Sequence, residues 1–150
     1  MRILIVIFLS IWSISSCYSQ NSNTIKISER KYTGYIFPAD YDEGFGTYGR
    51  ITPSAEDIRQ AESILSTLFD KKPYYKKLIT KNYIRQYLGY YLNGDTILYI
   101  NLFKKRAAKR WGNSYQKELL HVLDGGDSYW QVRINLTKKK VIEYNINGPA

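Results

Sequence analysis

The clearest hydrophobic pattern lies near the end of the chain. Apolar and polar residues alternate over Trp130–Leu136 and again over Ile142–Ile146. Side chains on a strand point to opposite faces with a period of two, so each run predicts a strand with one apolar face. The polar segment Thr137–Lys140 between them predicts a hairpin. Another element must cover its apolar face, which consists of Trp130, Val132, Ile134, Ile142, Tyr144 and Ile146.

Helical spacing marks the element that we expect to provide this cover. Thr52-Pro53 predicts an N-cap followed by proline in the first turn, and Glu56 and Asp57 would oppose the helix dipole. The segment Asp70–Pro73 is expected to end the helix. One apolar stripe should be buried, and it comprises Ile58, Ala61, Ile64, Leu65, Leu68 and Phe69.

A second hairpin precedes the closing one. Tyr83–Leu92 and Thr96–Phe103 flank Asn93-Gly94, the preferred centre of a two-residue type I′ turn. Tyr115–Leu123 reads as a further strand that runs into a turn or bulge at residues 124–127. Shorter strands are expected near the start, at Ile25–Ser28 and Tyr32–Phe37.

These elements predict an α+β fold. We expect one N-terminal amphipathic helix packed on a curved antiparallel β-meander of about four to six strands. Cystatin-like and NTF2-like folds have this architecture, and the analogy implies no function.

The first residues predict export. An apolar run over Ile3–Ile14 is too short to span a membrane and is typical of a secretory signal peptide. The segment Ile14–Cys17 resembles the lipobox of bacterial lipoproteins, which implies lipidation of Cys17, although cleavage after Ser19 fits as well. The expected organisation is a signal peptide at 1–19, a linker at 20–24 and one domain at 25–150. A lipidated protein would reside in the periplasm or on the outer membrane; otherwise it is secreted.

Net charge of +9 favours anionic partners. A protein partner is also possible, and a lipid anchor would bring the domain into contact with a membrane. The sequence contains no specific nucleic-acid-binding motif. If the basic clusters converge, they would suit an anionic macromolecule or a lipid headgroup surface; if they scatter, they favour solubility. The clusters are Lys71-Lys72, Lys76-Lys77, Lys104-Lys105-Arg106 with Lys109-Arg110, and Lys138-Lys139-Lys140.

Two segments superficially suggest a cofactor or a metal. Gly44–Gly49 matches the dinucleotide pattern G-x-G-x-x-G, but no strand runs directly into it and the helix starts only after Arg50. Asp40, Asp42 and Glu43 lack the full calcium-loop spacing. We therefore expect no cofactor and no metal.

The candidate site residues are polar side chains within the predicted sheet. His121 is the sole histidine, but on a strand Glu118 and Asp124 would lie on the face opposite to it, so no catalytic residue is assigned. The remaining candidates are for binding, and they are Arg85, Gln131, Arg133, Glu143, Lys104, Lys105 and Arg106.

Several short motifs in the last two thirds of the chain resemble small uncharacterised exported proteins and lipoproteins of the Bacteroidota. That resemblance implies export and brings no activity with it. The motifs are Tyr83-Ile84-Arg85-Gln86-Tyr87 with Gly89, Ile100-Asn101, Asp124-Gly125-Gly126 before Tyr129-Trp130, and Asn147-Gly148.

The sequence thus predicts an exported, membrane-tethered, non-catalytic binding or envelope protein. Two alternatives stay open. One is a small secreted hydrolase, a nuclease or glycan-acting enzyme, that uses His121 or a carboxylate pair. The other is an inhibitor or immunity-type protein that presents a hairpin loop to an enzyme.

Overall fold

Seven strands and two helices form the part of the chain that the computed structural model describes, namely residues 23–41, 48–71 and 82–149. The predicted α+β class is confirmed. Three 3₁₀ turns, at 109–111, 114–116 and 126–128, complete the structure. In chain order the elements are β1 Ile25–Ser28, β2 Thr33–Ile36, β3 Arg50–Ile51, α1 Ala55–Asp70, β4 Tyr83–Leu92, β5 Asp95–Lys104, α2 Lys105–Ala108, β6 Tyr129–Asn135 and β7 Lys140–Ile146.

The strands form one mostly antiparallel sheet in the order β1-β2-β4-β5-β6-β7, and β3 pairs with β4 beside β2. Two features depart from the predicted meander. The β2–β4 pair is parallel, so α1 lies within the crossover that two parallel neighbours require. Moreover, α1 follows three strands rather than opening the fold.

The β4–β5 hairpin is determined by its two turn residues, Asn93 and Gly94. Its turn residues have positive φ, 51° at Asn93 and 81° at Gly94, as a type I′ turn requires. The pairing then continues without a break from Leu92 opposite Asp95 to Tyr83 opposite Lys104. The predicted hairpin is confirmed.

Helix α1 begins two residues later than Thr52-Pro53 predicted. Ser54 is the N-cap: its hydroxyl accepts from the Asp57 backbone N–H, and the Asp57 carboxylate accepts from the Ser54 backbone N–H at 2.8 Å. This reciprocal pair satisfies two backbone donors that the first turn leaves free. The helix ends at Asp70, as expected.

One face of the sheet forms a core with α1. Trp130 is fully buried there, and its ring meets that of Phe69 edge-on at 6.0 Å. The register of β7 shifts between Val141 and Glu143, so Val141 pairs with Ile134 and Ile142 falls out of the predicted apolar face. The assignment of Ile142 was therefore wrong. Tyr144 and Ile146 lie opposite Val132 and Trp130 on the predicted face, but both are exposed because β7 is the edge strand. The buried members include Ile58, Ala61, Leu65, Tyr87, Ile100 and Val132.

The opposite face of the sheet carries a second core. The closing hairpin was expected to be polar on this face; on the β4–β5 hairpin, Ile84, Leu88 and Phe103 are buried there. The segment 105–122 covers them, so the predicted strand Tyr115–Leu123 is wrong: it contains a 3₁₀ turn and irregular backbone. Its apolar residues pack on the sheet instead of pairing with it, and they include Leu119, Leu120, Tyr115 and Val122.

Two buried amides attach this segment to the sheet. Gln86 donates to the backbone carbonyls of Tyr115 and Glu118 at 2.8 and 2.7 Å. Its carbonyl accepts from the Leu120 N–H, and Asn101 donates to the Leu120 carbonyl. These two side chains thus satisfy backbone N–H and C=O groups of the segment that would bond to a neighbouring strand if the segment were itself a strand.

Candidate functional site

A cleft of about 830 Å³ opens between the β1–β2 turn and α1. We call it the α1 cleft. Its volume lies within the range typical of small-molecule sites. The residues that line it are Glu29, Arg30, Lys31, Tyr32, Arg59, Glu62, Ser63, Leu65, Ser66, Thr67, Phe69, Asp70 and Arg85.

A buried ion pair forms the floor of the α1 cleft. Arg85 Nε donates to Glu62 Oε1 at 2.6 Å, and the two side chains are only 3% and 11% exposed. The same carboxylate oxygen accepts from the Tyr87 hydroxyl at 2.8 Å. Arg85 also donates to the Tyr83 carbonyl. Removing charges from water is costly, so such a pair depends on these additional hydrogen bonds.

The local sequence explains why these groups meet. Arg85 and Tyr87 are two residues apart on β4 and therefore project from the same face, toward α1. Glu62 lies four residues after Ile58 and three before Leu65, so it belongs to the stripe of α1 that faces the sheet.

Two tyrosines close to Glu62, one lining the α1 cleft and one beneath it, have a raised pKa. Burial raises the pKa of Tyr87 well above its usual value, and the Glu62 carboxylate adds to this effect. Burial also raises the pKa of Tyr32, again with a contribution from Glu62. The Arg85 guanidinium lies 5.6 Å from the centre of the Tyr32 ring, within cation–π range. Both tyrosines are therefore hydrogen-bond donors at neutral pH.

The walls of the α1 cleft combine three kinds of surface. Ser63, Ser66 and Thr67 present hydroxyl groups on the exposed side of α1. Arg30 and Lys31 lie on the β1–β2 turn, near the acidic Glu29 of the same turn. The apolar wall is made by Leu65 and Phe69. Such a lining matches a ligand that itself carries hydroxyl, charged and apolar groups.

The predicted binding residues do not form one site. Only Arg85 lies in the α1 cleft. Gln131, Arg133 and Glu143 project from the opposite face of the sheet, where Gln131 donates to Asn147 and Arg133 pairs with Glu143 at 2.5 Å. These groups interact mainly with each other.

The basic clusters that the structure describes also do not converge. Lys138 pairs with Asp95 at the first residue of β5, whereas Lys104 is its last residue and pairs with Asp127. A strand of this length separates the two clusters by about 30 Å. Lys105 and Arg106 follow Lys104 and are exposed. Lys72, Lys76 and Lys77 lie outside the described residues.

The candidate catalytic histidine lies away from the α1 cleft. His121 is exposed on the irregular segment before β6, so the strand-based argument about Glu118 and Asp124 no longer applies. Gln86 holds the Glu118 backbone, while the Glu118 side chain is exposed.

No metal-binding group of histidine, cysteine, aspartate and glutamate occurs in residues 23–41, 48–71 or 82–149. Asp40 is exposed. Asp42, Glu43, most of the Gly44–Gly49 motif and Cys17 fall outside these ranges.

Sequence reasoning missed the partners of Arg85. Glu62 occupies a position of the α1 stripe where an apolar residue is expected, and Arg85 is the one charged residue of strand β4. Two opposite charges, each breaking a hydrophobic pattern, are the signal that could have paired them.

Comparisons of the chain with protein-family models, with curated proteins and with solved structures found no match. Within the described ranges, no helix is both long and apolar enough to cross a membrane.

Proposed function

We propose that this chain is an exported, membrane-tethered binding protein that holds its ligand in the α1 cleft without catalysing a reaction. The observation that carries this proposal is the hydrogen-bonded group on the floor of the cleft. Glu62 accepts from both Arg85 and Tyr87, so its Oε1 is already engaged by two donors.

Catalysis would require a different arrangement. A general base needs an available lone pair within hydrogen-bond reach of the substrate proton. Glu62 already pairs with Arg85 and Tyr87 through Oε1, and Tyr87, whose pKa is raised, serves as a donor in this group rather than as a base. His121 and Glu143 do not line the cleft. These features favour binding over the hydrolase alternative.

The export part of the proposal rests on the sequence. Ile3–Ile14 has the length and apolarity of a signal peptide, and Ile14–Cys17 resembles a lipobox. Lipidation at Cys17 would tether the domain to the periplasmic side of a membrane or to the outer membrane.

The cystatin-like or NTF2-like architecture stays a prediction. It is supported by α1 packing against a sheet that is antiparallel from β4 to β7. The parallel β2–β4 pair and the second core are additions to that scheme.

Mass spectrometry of the mature N-terminus tests the tether. The full chain is expressed in a bacterium and recovered from its envelope, with Cys17→Ser as the control. We expect an acylated Cys17 as the first residue, and no acylation in the control. A chain that stays in the cytoplasm with its leader intact would contradict export.

A pair of matched variants tests the cleft. Ser66→Trp would fill the α1 cleft, whereas Ala55→Trp places the same side chain at an exposed position of α1 outside it. The probes are muropeptides and short oligosaccharides, which combine hydroxyl, charged and apolar groups. We expect at least one probe to raise the melting temperature of the parent and of Ala55→Trp, but not of Ser66→Trp. A shift that survives Ser66→Trp would place binding elsewhere.

A further inference from the structure

The segment that follows β5 exposes a concentrated group of basic side chains. Helix α2 packs Ala107 and Ala108 against the second core and leaves Lys105 and Arg106 exposed. Together with the adjoining 3₁₀ turn, it exposes Lys105, Arg106, Lys109 and Arg110. None of the four forms an ion pair within the part of the chain that the structure describes.

Two apolar side chains lie at the same end of the sheet. Trp111 directly follows the basic residues, is 39% exposed, and donates its indole N–H to the Tyr129 hydroxyl at 3.3 Å. Leu123 is 94% exposed, although its neighbour Val122 packs into the same core as Ala108. A large apolar side chain exposed to this degree forfeits nearly all of its burial energy.

We propose that this end of the sheet docks on the surface of an anionic phospholipid bilayer. Lysine and arginine side chains near such a surface are attracted by the lipid headgroups. Tryptophan favours the boundary between headgroups and acyl chains, because its ring is amphipathic. Leu123 would gain its missing burial by entering the acyl region.

The exposed Leu123 distinguishes a bilayer from a soluble polyanion. A polyanion would satisfy the four basic residues but offers nothing that buries a leucine. The acidic residues near these four cations are too few to cancel the attraction to an anionic surface. Asp127 is paired with Lys104, so only Glu118 and Asp124 oppose the four exposed positive charges. The docking surface is separate from the α1 cleft and does not depend on its ligand.

Vesicle partitioning tests the docking. Every protein is the full chain carrying Cys17→Ser, so that no acyl anchor contributes. Partition coefficients are measured by sedimentation with neutral phosphatidylcholine vesicles and with vesicles that also contain phosphatidylglycerol. The ratio of the two coefficients cancels any attraction of the leader that is common to all variants.

The charge variant replaces Lys105, Arg106, Lys109 and Arg110 by Gln. Its matched control removes four exposed charges elsewhere, at Lys26, Lys31, Lys139 and Lys140. We expect the anionic-to-neutral ratio to fall by up to about a thousandfold in the charge variant, at about 1 kcal/mol per charge, and far less in the control. Equal losses in both, or no loss, would overturn the proposal.

Leu123→Ser tests the bilayer specifically, and its exposure means that folding should be unaffected. We expect partitioning into anionic vesicles to drop by about tenfold, while binding to dextran sulfate stays unchanged. If Leu123→Ser leaves vesicle partitioning intact while the charge variant abolishes dextran sulfate binding, the surface recognises a soluble polyanion and bilayer docking is refuted.

Discussion

Arg85 and Glu62 each occupy a position at which the local pattern calls for an apolar side chain. Their pairing resolves both exceptions, because each supplies the opposite charge that the other needs when removed from water. Tyr87 completes the arrangement by donating to the same carboxylate. The α1 cleft therefore has a rigid polar floor whose groups are fixed before any ligand arrives.

Breaking this pair should destabilise the protein. We expect Arg85→Met to lower the free energy of unfolding by about 3–5 kcal/mol, because Glu62 would be left buried without its cation. The double variant Glu62→Leu/Arg85→Met should recover part of that loss. Urea denaturation gives the values. Arg59→Met, which removes an exposed pair with Glu56, is the control and should change stability by less than about 1 kcal/mol. A similarly small effect for Arg85→Met would show that the pair is not needed for stability.

Tyr99 should make stability sensitive to alkaline pH. Burial raises its pKa to about 12, with an opposing effect of Arg133 and a further increase from Glu143. The unfolded chain loses the phenolic proton first, near its ordinary pKa of about 10. The stabilisation is therefore complete below pH 10 and is lost as the pH rises toward 12.

We expect Tyr99→Phe to reduce this alkaline loss by about 2 kcal/mol. The measurement is the free energy of unfolding in urea at pH 8 and near pH 12. Other tyrosines with raised pKa, such as Tyr87, will leave a residual loss. Tyr91→Phe, at an exposed position, is the matched control. Identical pH profiles for the parent and Tyr99→Phe would refute the assignment.

At the scale of elements, the packing of α1 on β6 depends on Trp130. Its ring is fully buried against Phe69, and its indole N–H donates to the Asp127 carbonyl at 2.9 Å. We expect Trp130→Ala to lower the free energy of unfolding by about 3–5 kcal/mol, a large fraction of the roughly 5–15 kcal/mol that stabilises an ordinary domain. Circular dichroism in urea measures it. Trp111→Ala should cost far less, and comparable losses would mean that Trp130 is no more important than a surface tryptophan.

Elements whose signals are local could be predicted from the sequence. Asn93-Gly94 specifies its turn within two residues, so the β4–β5 hairpin followed directly. The apolar spacing of α1 likewise gave the helix, although its start was misplaced by two residues, because Ser54 rather than Thr52 forms the reciprocal cap with Asp57.

Pairings between distant segments could not be predicted. The apolar residues of Tyr115–Leu123 signal burial, but periodicity alone does not distinguish a strand from an irregular segment packed on a sheet. That outcome depends on Gln86 and Asn101, whose amides lie far away in the sequence. The parallel pairing of β2 with β4 likewise joins segments that are distant in the sequence. The α1 cleft depends on this pairing, because Glu62 of the intervening helix contacts Arg85 of β4.

At the scale of the molecule, the sheet is covered on both faces. Strand β4 contributes Tyr87 to the core with α1 and Leu88 to the second core, and β5 contributes Ile100 and Phe103 in the same way. Both cores therefore rest on the same strands. The loss of either would expose one face of every central strand.

This arrangement predicts one cooperative unfolding transition. Leu65→Ala in the core with α1 and Leu119→Ala in the second core should each lower the free energy of unfolding by about 2–5 kcal/mol. Because the cores share strands, both variants should keep the parent's dependence on urea concentration, and far-ultraviolet circular dichroism should coincide with tryptophan fluorescence. Leu123→Ala, at an exposed position, is the control. If Leu119→Ala instead produces a separate early transition, the segment 105–122 unfolds on its own and the two faces are not coupled.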